Sequence, residues 1–256
     1  MCDEKGISAL DLEIDLHKNS ERQGPGSPED TLRALELIGI AKNKGLKLAD
    51  IGCGSGGQTI TLAQHIDGRI TAVDFAAVFL DELNEKSKAF GIHDQISTLE
   101  RPMEDLPFKE KSFDIIWSEG AIYNMGFETG IKKWREYLKP GGYLSVSEIT
   151  WITHTRPKEI EDFWRLECPE INTASHNIKI LEDNGYALRG YFCLKEDSWI
   201  TNYYQPLEAR FSSFLQRYNN SEPAREIVKA YKAEIDLYRR YKEYFSYGFY
   251  IAKKNG

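Results

Sequence analysis

The sequence has few cysteines, no long apolar run and fewer basic than acidic residues. Its 256 residues include four cysteines that form no CxxC pair and no spacing typical of zinc ligands, namely Cys2, Cys53, Cys168 and Cys193. Scattered thiols of this kind favour a reducing compartment, so we expect a cytoplasmic protein without a metal site. No apolar stretch is long enough to cross a bilayer, and the acidic first residues do not resemble a secretory signal.

Basic residues are too few to predict a strongly basic surface. The chain has 33 lysines and arginines against 40 aspartates and glutamates, a formal net charge of −7. Because phosphate backbones are bound by clustered Lys and Arg, this balance argues against a nucleic-acid partner. Aromatic residues make up 12% of the chain, enough to build a core and also to line a pocket. The composition therefore favours a small organic molecule as partner.

Short apolar runs alternate with helical patterns over the first 150 residues. Strands are predicted at 46–51, 69–74, 96–100, 113–117 and 142–148, with helices between them. This alternation is typical of parallel βαβ units that are covered by helices on both faces. Ser27 and Pro28 indicate a helix start ahead of the first strand, as N-cap and first helical residue.

The pattern changes after residue 150. Residues 186–194 and 247–252 are strand-like, and a mostly helical stretch at 207–244 separates them. We interpret this stretch as an insertion that caps the functional site. A possible homodimer interface is suggested by four residues near one helical face of it, Tyr231, Ile235, Tyr238 and Tyr241.

Closely spaced glycines follow the first predicted strand. Gly52, Gly54 and Gly57 fit the GxGxxG spacing, which lets the backbone approach a ligand and start a helix, although a tight turn without a ligand has the same pattern. Asp50 lies two residues earlier, where a carboxylate suits a cationic amino group better than a pyrophosphate. Asp74 ends the second strand, where it can accept hydrogen bonds from both hydroxyls of a ribose.

Five motifs in a fixed order resemble the class I S-adenosylmethionine-dependent methyltransferase family. They are closest to its branch of ubiquinone- and menaquinone-biosynthesis enzymes and natural-product enzymes. The motifs are DIGCGSG, VDF, MEDLPF, SFDIIW and LKPGGY, all within about residues 45–150. The resemblance implies a Rossmann-like, doubly wound α/β sheet of seven strands, mostly parallel with the last strand reversed. It also implies methyl transfer from S-adenosyl-L-methionine to a small-molecule acceptor by in-line displacement.

The resemblance further implies a single domain of residues 1–256. Residues 1–44 would form an N-terminal helical segment, and residues 45–150 the cofactor-binding core. Residues 151–256 would supply substrate-side elements, the helical cap and the last strands. The turn-rich segment Gln23-Gly24-Pro25-Gly26 would close over the cofactor, unless it is only the lead-in to a helix.

Cofactor contacts are carried over from the family residue by residue. Asp50, Gly52 and Gly54 would hold the methionine end, with backbone contacts from Cys53. Asp74 would bind the ribose, Phe75 would pack on the adenine, and Met103 and Glu104 would lie at the adenine edge. Pro102 stands where the family pattern has an aspartate, so Glu104 is expected to supply that carboxylate. The complete expected cofactor set is Asp50, Gly52, Cys53, Gly54, Asp74, Phe75, Met103, Glu104, Ser118 and Glu119.

Candidate catalytic and acceptor residues follow the later strands. Ser118 and Glu119 would border the methyl-donor end of the cofactor, and Glu119 either acts on the acceptor or is a solvated acid. His154 is the best-placed histidine for a general base, although it can equally be a surface group. Four aromatic residues would line a pocket for an apolar or cationic acceptor, namely Tyr123, Trp199, Tyr203 and Tyr204. Alternatively, these aromatic residues pack in the core.

Two other functions fit the same glycine pattern. A nicotinamide-dependent oxidoreductase would share the GxGxxG spacing, but the chain has no recognisable second nucleotide-binding half. A non-catalytic module that binds S-adenosylmethionine or S-adenosylhomocysteine would keep the cofactor residues and lack an open acceptor pocket.

Overall fold

Helix α2 shows how local sequence signals position the elements around the site. The computed structural model of the chain describes residues 7–40 and 43–256, so the prediction about Cys2 lies outside the described residues. Helix α2 (Pro28–Ile38) begins after Ser27, whose hydroxyl accepts a hydrogen bond from the Asp30 amide at 3.0 Å. It ends at Gly39, which has a φ of 76°. An N-cap of this kind contributes about 1 kcal/mol, and glycine tolerates the left-handed C-cap.

One mixed sheet of eight strands organises the molecule. Its order is β3-β2-β1-β4-β5-β8-β7, with the two-residue strand β6 beside β5. β8 pairs antiparallel with β5 and with β7, and the other pairs are parallel. This confirms the predicted Rossmann-like sheet with a reversed last strand. The strands are β1 (Leu46–Ile51), β2 (Gly68–Asp74), β3 (Ile96–Glu100), β4 (Phe113–Glu119), β5 (Leu138–Trp151), β6 (Asn172–Thr173), β7 (Tyr186–Cys193) and β8 (Phe245–Lys254).

Two hydrophobic cores lie on opposite faces of this sheet. Adjacent strand residues alternate between them, since Ile115 and Trp117 belong to one core and Ile116 to the other. The first core also holds apolar residues of α1, α2, α3, α9 and α10, and the second those of α5 and α7. The helices are α1 (Ala9–His17), α2, α3 (Gly57–His65), α4 (Ala77–Ala89), α5 (Phe127–Tyr137), α6 (Lys158–Glu167), α7 (Ala174–Asp183), α8 (Glu196–Trp199), α9 (Gln205–Arg217) and α10 (Glu222–Tyr241).

Several element boundaries differ from the sequence predictions. β4 continues to Glu119, so Ser118 and Glu119 lie within the strand and not after it. β5 runs over 14 residues because β8 pairs with it from Tyr143 to Trp151, which extends it at its carboxyl end. Helix α6 was not predicted, although Ile160, Phe163 and Trp164 in it have helical spacing; only Ile160 is fully buried. Among the described residues, no helix is both long and apolar enough to cross a membrane.

The predicted insertion between β7 and β8 consists of α8, a π-helical turn at Ile200–Tyr204, α9 and α10. Its suggested dimer face is used within the chain. Ile235 and Tyr238 are 1% and 3% exposed, and the Tyr238 ring stacks on Trp199 with centroids 4.7 Å apart. The Tyr231 hydroxyl lies 2.9 Å from His17 of α1, and the Tyr241 hydroxyl donates to Glu159 at 2.5 Å. The observation that suggested a homodimer is therefore explained by packing of α10 against its own chain.

Candidate active site

A cavity of about 460 Å³ opens at the carboxyl ends of β1, β2 and β4. We call it the glycine-loop cavity. It is lined by five short segments that are far apart in sequence, within 22–25, 52–58, 73–79, 101–104 and 119–124. Parallel strands bring their carboxyl ends to one edge of the sheet, which is where open α/β sheets bind ligands.

The glycine loop lies closer to its neighbours than a side chain would allow. Gly52 has a φ of 74°, and a Cβ there would lie 2.5 Å from the Cβ of Ala121. Gly54 has a φ of 54°, and a Cβ there would overlap the side-chain oxygen of Gln23. Both positions need glycine for conformation as well as for space. The backbone of this loop consequently forms one wall of the cavity.

Asp74 stands at the end of β2 with its carboxylate at the cavity wall. It is 8% exposed and accepts hydrogen bonds at 2.9 Å from the amides of Gly54 and Ala76. Burial raises the pKa of this carboxyl above its ordinary value, while the amides oppose that shift. Next to it the ring of Phe75 is 50% exposed and lines the cavity together with Met103. An acceptor of hydrogen bonds thus lies beside an apolar flat surface.

A buried ion pair attaches the N-terminal segment to the cavity. Arg22 Nη1 donates to Glu119 Oε2 at 2.7 Å, and both side chains are less than 10% exposed (7% and 4%). The other carboxylate oxygen of Glu119 accepts from Thr31 at 2.8 Å and from the Trp117 indole at 2.9 Å. Three donors thus hold the Glu119 carboxylate in place, two on Oε1 and one on Oε2.

A second cavity of about 540 Å³ adjoins the first and has seven aromatic residues in its lining. The two share the wall residues Gln23, Gly24, Pro25, Gly120 and Tyr123. We call it the aromatic cavity, because its lining includes Tyr123, Phe163, Trp164, Trp199, Tyr203, Tyr231 and Tyr247. The arrangement can hold one ligand at the glycine loop and another beyond Tyr123.

Residues 48–142 match the family described as a methyltransferase domain. The match places a methyltransferase-like region between residues 48 and 142. The biotin biosynthesis bifunctional protein BioHC of Teredinibacter turnerae is 31% identical over 142 residues, 50% of this chain and 23% of that protein. A demethylmenaquinone methyltransferase of Staphylococcus aureus is 28% identical over 124 residues, 47% of this chain and 49% of that enzyme. The matches thus span less than half the length of these curated relatives.

A solved methyltransferase shares the fold over nearly the whole chain. The SAM-dependent methyltransferase from Geobacter sulfurreducens, in complex with S-adenosyl-L-homocysteine, superposes with a TM-score of 0.81 at 16% identity. The superposition covers 95% of this chain and 98% of that chain. The helices outside the matched 48–142 region therefore belong to a known variant of the methyltransferase fold.

Most of the expected cofactor residues line the glycine-loop cavity of the methyltransferase domain. Asp50 and Ser118 do not line it. Asp50 is fully buried and accepts hydrogen bonds from Thr59 at 2.6 Å and from Gln58 at 3.4 Å. Burial raises the pKa of Asp50 to about 7. The residues that line it are Gly52, Cys53, Gly54, Asp74, Phe75, Met103, Glu104 and Glu119.

The two catalytic candidates differ in their placement. His154 is exposed in the loop after β5 and lines neither cavity, so its role as a general base stays a prediction that no contact supports. Glu119 is held by Arg22, Thr31 and Trp117 as described above. Its interactions indicate that it orients Arg22.

Of the aromatic candidates, Tyr123, Trp199 and Tyr203 line the aromatic cavity and Tyr204 does not. Tyr204 is fully buried, and its hydroxyl donates to Glu234 Oε1 at 2.8 Å. The structure therefore assigns Tyr204 to the core, where it holds a glutamate that does line the cavity.

Sequence reasoning missed two charged residues near the site, Arg22 and Glu148. Arg22 directly precedes the Gln-Gly-Pro-Gly turn, and a charged residue beside a turn predicted to cover a ligand was an available signal. Glu148 lies in the middle of an apolar strand, and its alternation pattern gave no sign of an exceptional role. Its Oε1 accepts from the Ile149 amide at 2.9 Å, and burial raises its pKa to about 8.

Proposed function

We propose that this protein transfers a methyl group from S-adenosyl-L-methionine, bound in the glycine-loop cavity, to a small molecule in the aromatic cavity. The observation that carries the proposal is the shared wall of the two cavities at Pro25, Gly120 and Tyr123. Because the carboxyl ends of β1 and β4 meet there, a methyl donor and an acceptor can be aligned without moving the sheet.

The glycine-loop cavity has groups that suit each part of S-adenosylmethionine. The Asp74 carboxylate can accept from the ribose hydroxyls, and the exposed ring of Phe75 can pack on the adenine beside Met103. The backbone at Gly52 and Gly54 allows the methionine chain to approach closely. Glu104 also lines this cavity, where its carboxylate can accept a hydrogen bond from the adenine. Arg22 can pair with the carboxylate of the methionine moiety.

Asp50 is proposed to act indirectly. Its carboxyl accepts from the Gln58 side-chain amide, which also donates to the Cys53 carbonyl at 3.2 Å. Gln58 lines the cavity and Asp50 does not. We infer that Asp50 orients Gln58 and the start of α3 at the methionine end. Ser118, buried with no hydrogen-bond partner for its hydroxyl among the described residues, has no such contact.

The chain itself has to align the reactants and exclude water. When bound, S-adenosylmethionine supplies a methyl group on a sulfonium centre, which is already activated for displacement. Gln23 anchors the N-terminal segment over the glycine loop, because its oxygen accepts from the Ser55 amide at 2.7 Å and its nitrogen donates to the Ser55 hydroxyl at 3.0 Å. Pro25 and Tyr123 then separate the reacting centre from bulk solvent.

The same geometry bears on the other functions considered. A module that only binds the cofactor has no need of the aromatic cavity of about 540 Å³ beside it. A nucleic-acid acceptor is disfavoured because glutamates line that cavity and would repel phosphates. We also propose that the chain acts as one domain, since α1 and α10 pack against elements of the same sheet.

Calorimetric titration with S-adenosylmethionine tests the proposal. We expect saturable binding by the wild type and at least about tenfold weaker binding by Asp74→Ala, because it loses hydrogen bonds from a carboxylate. Asp81→Ala is the matched control, an exposed aspartate on α4 that lines neither cavity. No binding by a wild type that is folded by circular dichroism would contradict the proposal.

A further inference from the structure

The charges that line the aromatic cavity all have one sign. The lining includes four glutamates, Glu13, Glu167, Glu226 and Glu234, and no lysine, arginine or histidine among the described residues. A chain with 33 lysines and arginines could easily place one there. A carboxylate or phosphate ligand would meet repulsion from every side, so the charge distribution disfavours an anionic acceptor.

Most of these glutamates have no cationic partner in the protein. Glu226 pairs with Lys229 at 3.1 Å, and both side chains are exposed. The other three, Glu13, Glu167 and Glu234, form no salt bridge in the described parts of the chain. Burial raises the pKa of Glu13 above its ordinary value, and it raises the pKa of Glu234 to about 7. The charge of Glu167 adds to both shifts. The protein therefore keeps carboxyl groups at this cavity at a cost that a bound cation would offset.

Aromatic side chains complete the walls around these carboxylates. The Trp199 and Tyr247 rings stack with centroids 5.2 Å apart and planes at 18°, and Trp199 is 1% exposed, so this wall is rigid. Tyr203 and Tyr231 line the cavity from the π-helical turn and α10. The negative faces of such rings attract ammonium groups by about 0.5–2 kcal/mol each, an attraction independent of the carboxylates.

A buried carboxylate oxygen without a partner lies in an adjoining small cavity of about 220 Å³. Glu148 is 3% exposed, and its Oε2 has no hydrogen-bond partner among the described residues. The small cavity shares Tyr123, Glu167 and Cys168 with the aromatic cavity. An unsatisfied buried polar atom of this kind costs about 1–3 kcal/mol unless a hydrogen-bonding group fills the space.

We propose that the methyl acceptor carries a positively charged amine, which lies in the aromatic cavity between the Glu234 carboxylate and the rings of Tyr203 and Tyr231. This inference rests on the proposed function and specifies the class of its acceptor. Glu234 is the anchor because the Tyr204 hydroxyl holds its Oε1 at 2.8 Å and leaves the second oxygen available. The rings exclude water from the ammonium group and so strengthen its attraction to the carboxylate.

Paired probes of equal shape and different charge test this inference. We would titrate the protein, saturated with S-adenosylhomocysteine, with choline and with its neutral isostere 3,3-dimethylbutan-1-ol. A second pair is 2-phenylethylamine and 2-phenylethanol. We expect the cationic member of at least one pair to bind about tenfold more tightly than the neutral one. We also expect Glu234→Gln to remove most of that preference without changing the affinity for the alcohol.

Controls separate this inference from the proposed function. Glu222→Gln removes an exposed carboxylate that lines neither cavity, so the cation preference should change by less than about twofold. If S-adenosylhomocysteine does not bind, the proposed function fails. If it binds and neither cation is preferred over its neutral partner, the amine acceptor is wrong while the methyl-donor site stands.

Discussion

Glu148 illustrates how a single residue can change the pH dependence of the whole fold. It lies on β5 opposite Gly248 of β8, and burial raises the pKa of its carboxyl from 4.5 to about 8, with a smaller contribution from Glu170. The neighbouring thiol of Cys168 lies 3.9 Å away, and burial together with Glu148 raises its pKa to about 12. Cys168 is therefore an unreactive thiol at neutral pH.

The raised pKa of Glu148 predicts a loss of stability on going to alkaline pH. The folded state binds the proton more tightly than the unfolded state, so the contribution is complete below about pH 4.5 and is lost as the pH rises through 8. Between pH 5 and 8.5 the free energy of unfolding should fall for the wild type and also for Glu148→Gln. We expect the fall to be smaller in Glu148→Gln, by at least about 1 kcal/mol. Urea denaturation at both pH values measures this.

Other groups bound the size of that effect. Asp50 and Glu234, with pKa values raised to about 7, contribute with the same sign as Glu148, so the variant should retain part of the fall. Burial lowers the pKa of His17 to about 4. Its contribution to the free energy of unfolding is therefore present above pH 6.5 and is lost as the pH falls, which is the opposite of the behaviour of Glu148. The exposed Glu85→Gln is the control and should follow the wild type. Equal slopes for Glu148→Gln and the wild type would contradict the assignment.

At the scale of elements, the N-terminal segment is held to the glycine loop and to β4 by polar contacts. Gln23 binds the Ser55 backbone and side chain, and Arg22 pairs with Glu119. The Gly26 carbonyl accepts from Asn202 of the π-helical turn at 3.0 Å, which joins the segment to the insertion. The segment thus connects both cavities to the same structural unit.

The Arg22–Glu119 pair should be coupled in stability. Glu119→Gln leaves a buried guanidinium without a carboxylate, and we expect it to lower the free energy of unfolding by about 3 kcal/mol. Arg22→Met should cost a similar amount, because it leaves Glu119 unpaired. The double variant should lose clearly less than the sum, which a double-mutant cycle by urea denaturation measures. Additive losses would show that the two side chains do not interact. The control is Lys158→Met, which breaks an exposed ion pair with Asp162.

At the scale of the whole molecule, the glycine-loop cavity joins five segments between residues 22 and 124. A ligand bound there contacts elements from both ends of this region, and it can bind only to the folded chain. Binding should therefore stabilise the domain as a unit, in proportion to the ligand concentration relative to its dissociation constant.

This coupling gives a test that also separates the methyltransferase from an oxidoreductase. S-adenosylhomocysteine at about 100 times its dissociation constant should stabilise the fold by about 2.7 kcal/mol. For a chain of this size that corresponds to a rise in Tm of roughly 5–10 °C. NADH at the same concentration should give no rise. A rise with NADH and none with S-adenosylhomocysteine would favour the nicotinamide-dependent function.

Much of the fold could be predicted from the sequence because the signals are local. The βα alternation and the Ser27 cap depend on residues close together in the chain, and the structure has both. The reversed last strand was implied by the family resemblance, and the structure has it as well. The boundaries of β4 and β5 could not be predicted, since β8, about 100 residues away, decides how far β5 extends. The face of α10 was misread because its period indicates burial and not the partner that buries it.

For the site, the sequence by itself determined the glycine loop and Asp74 at the end of β2, since both lie beside the strand that positions them. Only the tertiary structure decided which charges face the ligands. Arg22 meets Glu119 across 97 positions, and Glu13 and Glu234 line one cavity from opposite ends of the chain. Whether an acid is free, paired or protonated depends on the groups that packing brings within a few ångströms of it, and that information is not local.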